Sequence, residues 1–240
     1  MYQPRTYRNE IKNAGLASFT VAVKETDLYI RADRDLTLEA QAAIHEVRRP
    51  LEEYIRGHPL FLHSLEPVEV ENGAAEIVRV MAEAARLANV GPMAAVAGAV
   101  AELVGRKLLA FSQEVIVENG GDIFLKVNSK RQIGIYAGGS VFTGKLAIEV
   151  GPGQTPLGIC TSSGTVGPSL SLGLADAAII LAPSAALADA AATAVGNVVK
   201  GEQDIDAAIE LGKQIKGING IVVIVGSNMG AWGDIKLVKT

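Results

Sequence analysis

The chain has 240 residues, of which 49% are hydrophobic and 20% charged, enough to bury a sizeable core as one large domain or two fused halves. Its formal net charge is -4, with no basic block and no Arg/Lys stripe interleaved with aromatics, which argues against nucleic acid as a partner. The single cysteine, Cys160, excludes an intramolecular disulfide and a Cys-rich metal site and fits a reducing, cytoplasmic setting.

The first residues carry no apolar stretch of signal-peptide type and no cysteine to lipidate. Arg5, Tyr7 and Arg8 make a small cationic start suited to an anion or an acidic neighbour. Alternating, β-branched segments at Phe19 to Val23 and Leu28 to Ile30 predict a hairpin with Thr26-Asp27 between its strands. Thr37 to about Arg49 has helical spacing, and Pro50 is expected to start a new turn that continues until Gly57-His58-Pro59. Val68 and Val70 read as a short exposed connector or edge. Ala74 to Leu87 predicts a helix with Ile77, Val80, Met81 and Ala84 on one stripe.

Pro92 suits the first turn of another helix, running to about Leu109. Gly98 in its interior costs roughly 1 kcal/mol against alanine, so a close neighbour or a ligand must require its small size. Glu114 to Val127 reads as strand, glycine-rich interruption, strand. Further strands are expected near 133–136, 146–150, 157–160 and 177–181. Ser184 caps a helix over Ala185 to Val199, and Asp204 to Lys216 is an amphipathic helix. Ile221 to Val225 and Ile235 to Val238 close the chain around a glycine-rich turn. The longest apolar runs fall short of the roughly 20 residues of a membrane span, so no membrane partner is expected. No linker divides the chain, which reads as one domain over 1–240. A weak echo between Met93 to Val100 and Leu187 to Ala194 is consistent with two similar halves packed together.

Three segments are suited to chemistry. Asp189 and Thr193 stand at i and i+4 and share a helical face. A carboxylate and a hydroxyl so placed can hold one hard cation such as Mg²⁺. Alternatively, Asp189 answers the helix dipole and Thr193 bonds back to a carbonyl. Asn119-Gly120-Gly121-Asp122 allows positive φ and close approach of main chain to a ligand, and equally makes a tight turn. Thr161-Ser162-Ser163-Gly164 offers hydroxyl and N–H donors to a phosphate after a strand, and equally a polar loop running on through Val166 to Ser169. Cys160 beside it reads as a small hydrophobe or a reactive thiol. His45, His58 and His63 lack metal-ligand spacing.

Together these segments resemble the ApbE family of FAD:protein FMN transferases. That family carries an Asn/Gly-Gly-Gly-Asp-Ile stretch, matched by Asn119 to Ile123, and a Thr-Ser-Gly-like loop, matched by Thr161 to Gly164. Its Ala-Asp-Ala-x-Ala-Thr-Ala helix is matched by Ala188 to Ala194. The resemblance runs from about Ala75 to Asn197. It implies a two-lobed α+β, T-fold-related architecture with an internal repeat of sheet plus packed helices. It implies Mg²⁺ on Asp189 and Thr193, with a backbone carbonyl near Ala94. It further implies FAD or FMN, or another small anionic or phosphorylated ligand, near Asn119, Gly120, Gly121, Asp122, Thr161, Ser162, Ser163 and Gly164.

Where the family carries Asp-Leu-Gly-x-Ile-Ala-Lys-Gly, this chain has Gly91 to Gly98, without the acid and the lysine. The family's His-Ile-Ile-Asp-Pro segment is absent, with Ser169 to Gly173 near its place. The chain looks like the shorter ApbE-related branch of bacteria and archaea, associated in anaerobes with sulfur assimilation. The expected activity is Mg²⁺-dependent binding or transfer of a flavin nucleotide. The alternatives are a non-catalytic binding or assembly protein that lost the transferase site, and a sulfur-metabolism role using Cys160.

Overall fold

The computed structural model describes residues 15–165 and 171–240. The cationic start at Arg5, Tyr7 and Arg8, and the polar loop at 166–169, lie outside them.

The molecule is α+β. An antiparallel sheet of eight strands has the order β1-β2-β3-β4-β7-β8-β9-β10. Its strands are β1 (Ala17–Val23), β2 (Thr26–Ala32), β3 (Val115–Asn119), β4 (Asp122–Lys126), β7 (Leu157–Ser162), β8 (Ala177–Ala182), β9 (Gly220–Val225) and β10 (Asn228–Gly233). Helices α1 (Thr37–Gly57), α2 (Pro59–His63), α3 (Glu76–Ala88) and α4 (Val96–Leu108) come between β2 and β3. Helices α5 (Ala185–Val198) and α6 (Ile205–Gln214) come between β8 and β9. The path strand, strand, helices, strand, strand is therefore traced twice, and the β4–β7 pairing is the seam between the two passages. A small sheet of β5 (Arg131–Gly134), β6 (Leu146–Val150) and β11 (Lys236–Lys239), ordered β11-β6-β5, completes the structure.

Alternation along the central strands decides the layering, because neighbouring side chains point to opposite faces. Val115, Val117, Phe124, Cys160, Ile180, Ile221 and Val223 join the helices in one core. Ile116, Ile123, Leu125, Ile159, Ile179, Leu181, Val222 and Ile224 face the small sheet in a second. Burial on both faces explains why β8 and β9 read as continuous apolar runs.

Most expected elements are present, with local differences. The first hairpin turns at Lys24-Glu25, with Lys24 at φ +53°, and Thr26 already pairs with Val23. Pro50 does not restart α1 but lies inside it. The buried stripe Ala40, Ala43, Ile44, Val47 and Leu51 passes straight across the proline, and that burial outweighs the missing N–H. The glycine-rich turn after β9 is itself largely strand. Gly226, at φ +59°, makes the reversal, and β10 pairs with β9 from Asn228 onward. A side chain at Gly230 would meet Ile205 and Ile209 at 2.6 Å, so that position of β10 is glycine because α6 packs on it. Among the described residues no single helix is long and apolar enough to cross a membrane.

Candidate functional site

Helix α5 is largely buried and rich in alanine. Its half-buried positions are Asp189, Thr193 and Asn197, one polar residue per turn on one face. The first of them reaches the start of α4, whereas Asn197 accepts the Leu172 N–H at 2.9 Å. The Asp189 Oδ2 accepts the Gly98 N–H at 2.8 Å, and the Ala97 main chain also contacts the carboxylate. Gly98 is the third residue of α4, so its N–H has no partner within the helix. Ala95, at the N-cap, has no side chain to offer. Asp189 thus caps α4 rather than its own helix, which Ser184 caps by accepting the Leu187 N–H at 3.3 Å. Gly98 is small because a Cβ there would lie 2.2 Å from the Ala185 carbonyl oxygen and 2.8 Å from the Asp189 Cβ.

The β3–β4 turn stands against the same helix start. Gly120 and Gly121 have φ of +69° and +109°, and Asn119 pairs with Asp122 across the hairpin. This is the tight turn that paired glycines favour. It is also tied to the site, because the Asn119 amide donates to the Ala97 carbonyl at 3.1 Å. Asp122 is buried and accepts the Thr161 N–H at 3.3 Å across the β4–β7 seam. Burial pushes its carboxyl up to about 7, and nearby Glu118 adds to the rise, while the Thr161 N–H and the Cys160 thiol oppose it. Asp189 is pushed well above the ordinary carboxylate range, first by burial and then by the charge of Asp122, against the pull of the α4 N–H groups.

Cys160 lies between the two acids with no exposed surface, its thiol donating to the Ala185 carbonyl at 3.3 Å. Burial, then Asp122 and Asp189, push that thiol up, which keeps it protonated and unreactive. Ser162 packs on α5, its Oγ 3.3 Å from where a Gly196 Cβ would be. Ser163 and Gly164 turn away from α5. Ser163 contacts Thr165, which bonds Asp176, and the Gly164 N–H donates to the Ala175 carbonyl at 2.9 Å. Ala94 belongs to the 3-10 turn Pro92–Ala95 that leads into α4.

Asn119 and Asp189 therefore meet the first turn of α4, with the Gly120-Gly121 turn beside Asn119 and Ala94 just before α4. Asp122 is joined to Thr161 across the β4–β7 seam. Thr193 stands one turn further along α5, Ser162 packs near Gly196, and Ser163 and Gly164 lie at the margin. The histidines are elsewhere. His58 stacks on Tyr54, and His45 lines a cleft of about 460 Å³ beside α1 with Lys24, Arg48 and Glu52. Among the described residues no group of three or more His, Cys, Asp or Glu is placed to hold a metal ion. The sequence reading passed over Asn197, Glu118 and Glu102. Extending the i, i+4 spacing one more turn reaches Asn197, whereas the two glutamates look like ordinary surface acids until the tertiary fold buries them.

Known proteins match the chain over most of its length. A UPF0280 protein of Methanocaldococcus jannaschii is 45% identical over 227 residues, covering 92% of each chain. A UPF0280 protein of Methanosarcina acetivorans is 42% identical over 216 residues, covering 89% of this chain and 85% of its own. Among solved structures, the apo flavinyl transferase ApbE of Pseudomonas stutzeri superposes with a TM-score of 0.56 at 14% identity, covering 92% of this chain and 94% of that one. The flavin transferase ApbE of Vibrio cholerae gives 0.57 at 13% identity, covering 92% and 97%. At such identities the likeness shows a shared fold. The family model described as AbpE bacteria matches residues 8–236, and with that span the chain belongs to this ApbE-type family.

Proposed function

We propose that the chain is a Mg²⁺-dependent flavin-nucleotide protein of the ApbE type, binding the phosphates of FAD in the crevice at the start of α4 and passing FMN to a protein acceptor. The observation that carries this reading is a charge deficit. Asp122 and Asp189 both titrate high, each made worse by a neighbouring carboxylate, and among the described residues no lysine or arginine enters either environment. A hard divalent cation would supply the missing charge, with oxygen donors drawn from Asp189, the Thr193 hydroxyl and a carbonyl near Ala94. Oxygen donors of this kind suit Mg²⁺, which when bound would neutralise charge on phosphate oxygens.

The chain's own residues do the rest. The Gly98 and Ala97 main chain fixes the Asp189 carboxylate at the start of α4. Gly120 and Gly121 let the main chain approach the ligand. Thr161 and Ser162 end β7 with donors beside α5. Family membership and the fold shared with the ApbE enzymes support the flavin version over other phosphorylated ligands. A cytoplasmic setting, where the buried thiol stays reduced, goes with it. Incubation with FAD, Mg²⁺ and candidate acceptor proteins should release AMP over many turnovers, and Asp189→Asn should abolish the release.

One observation favours a second reading, a binding or assembly protein without turnover. Gly91 and Ala97 stand where the family carries an acid and a lysine, so the start of α4 presents no side chain for proton transfer. Stoichiometric, Mg²⁺-dependent FAD binding with no AMP release would select it. A sulfur role through Cys160 has the sealed, protonated thiol against it.

A further inference from the structure

Glu102 on α4 is only 3% exposed. Its Oε2 accepts the Ser184 hydroxyl at 2.8 Å and the Ala186 N–H at 3.3 Å, and Arg106 bonds its Oε1 at 2.5 Å. Ser184 is the N-cap of α5 and Ala186 its second residue. So α4 places a carboxylate on the start of α5, while α5 places Asp189 on the start of α4. Each helix closes the orphan donors of the other.

The two contacts are mechanically joined. Asp189 lies one turn along α5 from the end that Glu102 holds. Between them there is no slack, because Ala185 is clamped by Gly98 on one side and by Gly158 on the other. A Cβ at Gly158 would come within 2.3 Å of the Ala185 Cα. A shift of the first turn of α5 therefore carries Asp189 with it.

We propose that Glu102 is a positioning residue for the crevice: it holds α5 in register against α4 so that Asp189 and Thr193 face the same space. The functional consequence rests on the cation reading above, whereas the positioning itself does not. Glu102→Asp keeps the charge but withdraws it by one methylene. Glu102→Gln keeps an oxygen for Ser184 and Ala186, and Arg106, 56% exposed, is free to turn away. Leu108→Ala, in the same helix and fully buried, is the control for lost stability alone.

Two readouts decide the matter: Mg²⁺ titration by calorimetry well below the melting temperature, and hydrogen exchange at the Gly98 amide. Glu102→Asp should weaken Mg²⁺ affinity about tenfold or more, as loss of an outer partner of a metal ligand does. It should also speed Gly98 exchange beyond that of Leu108→Ala. Glu102→Gln should restore both, and Leu108→Ala should keep wild-type affinity. Wild-type affinity together with wild-type Gly98 protection in Glu102→Asp overturns the proposal. If the unmodified chain itself takes no Mg²⁺, the cation reading fails, and Gly98 exchange alone then decides: faster in Glu102→Asp supports positioning, unchanged refutes it.

Discussion

A carboxylate at the start of a helix ordinarily titrates low, because the helix N–H groups favour its charged form. Asp189 sits there and titrates high, since burial and the charge of Asp122 outweigh those N–H groups. The folded chain therefore binds protons that the unfolded chain has released. For Asp122 the window runs from about 3.8 to about 7. Within it, stability should fall as pH rises, with the contribution fully present below the unfolded value and lost above the folded one. Melting temperatures of the parent and of Asp122→Asn, measured without divalent ions, should show the variant gaining on the parent as pH rises through this window. A difference between the two proteins that does not change with pH in this window would contradict the shared-charge account. The thiol between the acids gives a second check. Cys160 should resist iodoacetamide in the native protein and react at once in denaturant, because it is both fully buried and held protonated.

At the scale of elements, the close crossing of α4 and α5 sets the geometry. Gly98→Ala gains about 1 kcal/mol of helix propensity. It also forces a methyl into backbone atoms of Ala185 at 2.2 and 2.7 Å, where overpacking costs typically 1–3 kcal/mol and rigid main chain puts it at the upper end. The net expectation is a loss of about 2 kcal/mol in urea unfolding, since the clash exceeds the propensity gain. A variant as stable as the parent would mean that the helices are not held at this distance. The need for a small residue at 98 is legible in the sequence, because glycine inside an alanine-rich helix has no local reason to be there. What it makes room for is not, since Ala185 and Asp189 lie more than eighty residues further on. Likewise the Asn119 to Asp122 turn is readable from its paired glycines, but the burial of Asp122 depends on β7 pairing beside it. Strand β10 escapes notice because the glycine at 230 is set by α6 packing rather than by alternation. Pro50 misleads because a local breaker signal loses to a continuous buried stripe.

Across the whole molecule, the candidate site lies at the seam. Asp122 opens β4, the last strand of the first passage, Thr161 lies near the end of β7, the first strand of the second, and α4 and α5 come from opposite passages to meet there. Neither passage alone contains the site, which is why its residues are scattered between 94 and 193 in the sequence. The same placement explains the charge deficit. Two acids arrive from different passages, and the layers around them contribute apolar side chains and main chain rather than a basic residue. The most direct test is calorimetric titration of Mg²⁺ in the presence of FAD, comparing the unaltered chain with Asp189→Asn. The account predicts saturable, Mg²⁺-dependent FAD binding to the unaltered chain that disappears in the variant. Equal heats from both proteins, or none from either, would contradict it.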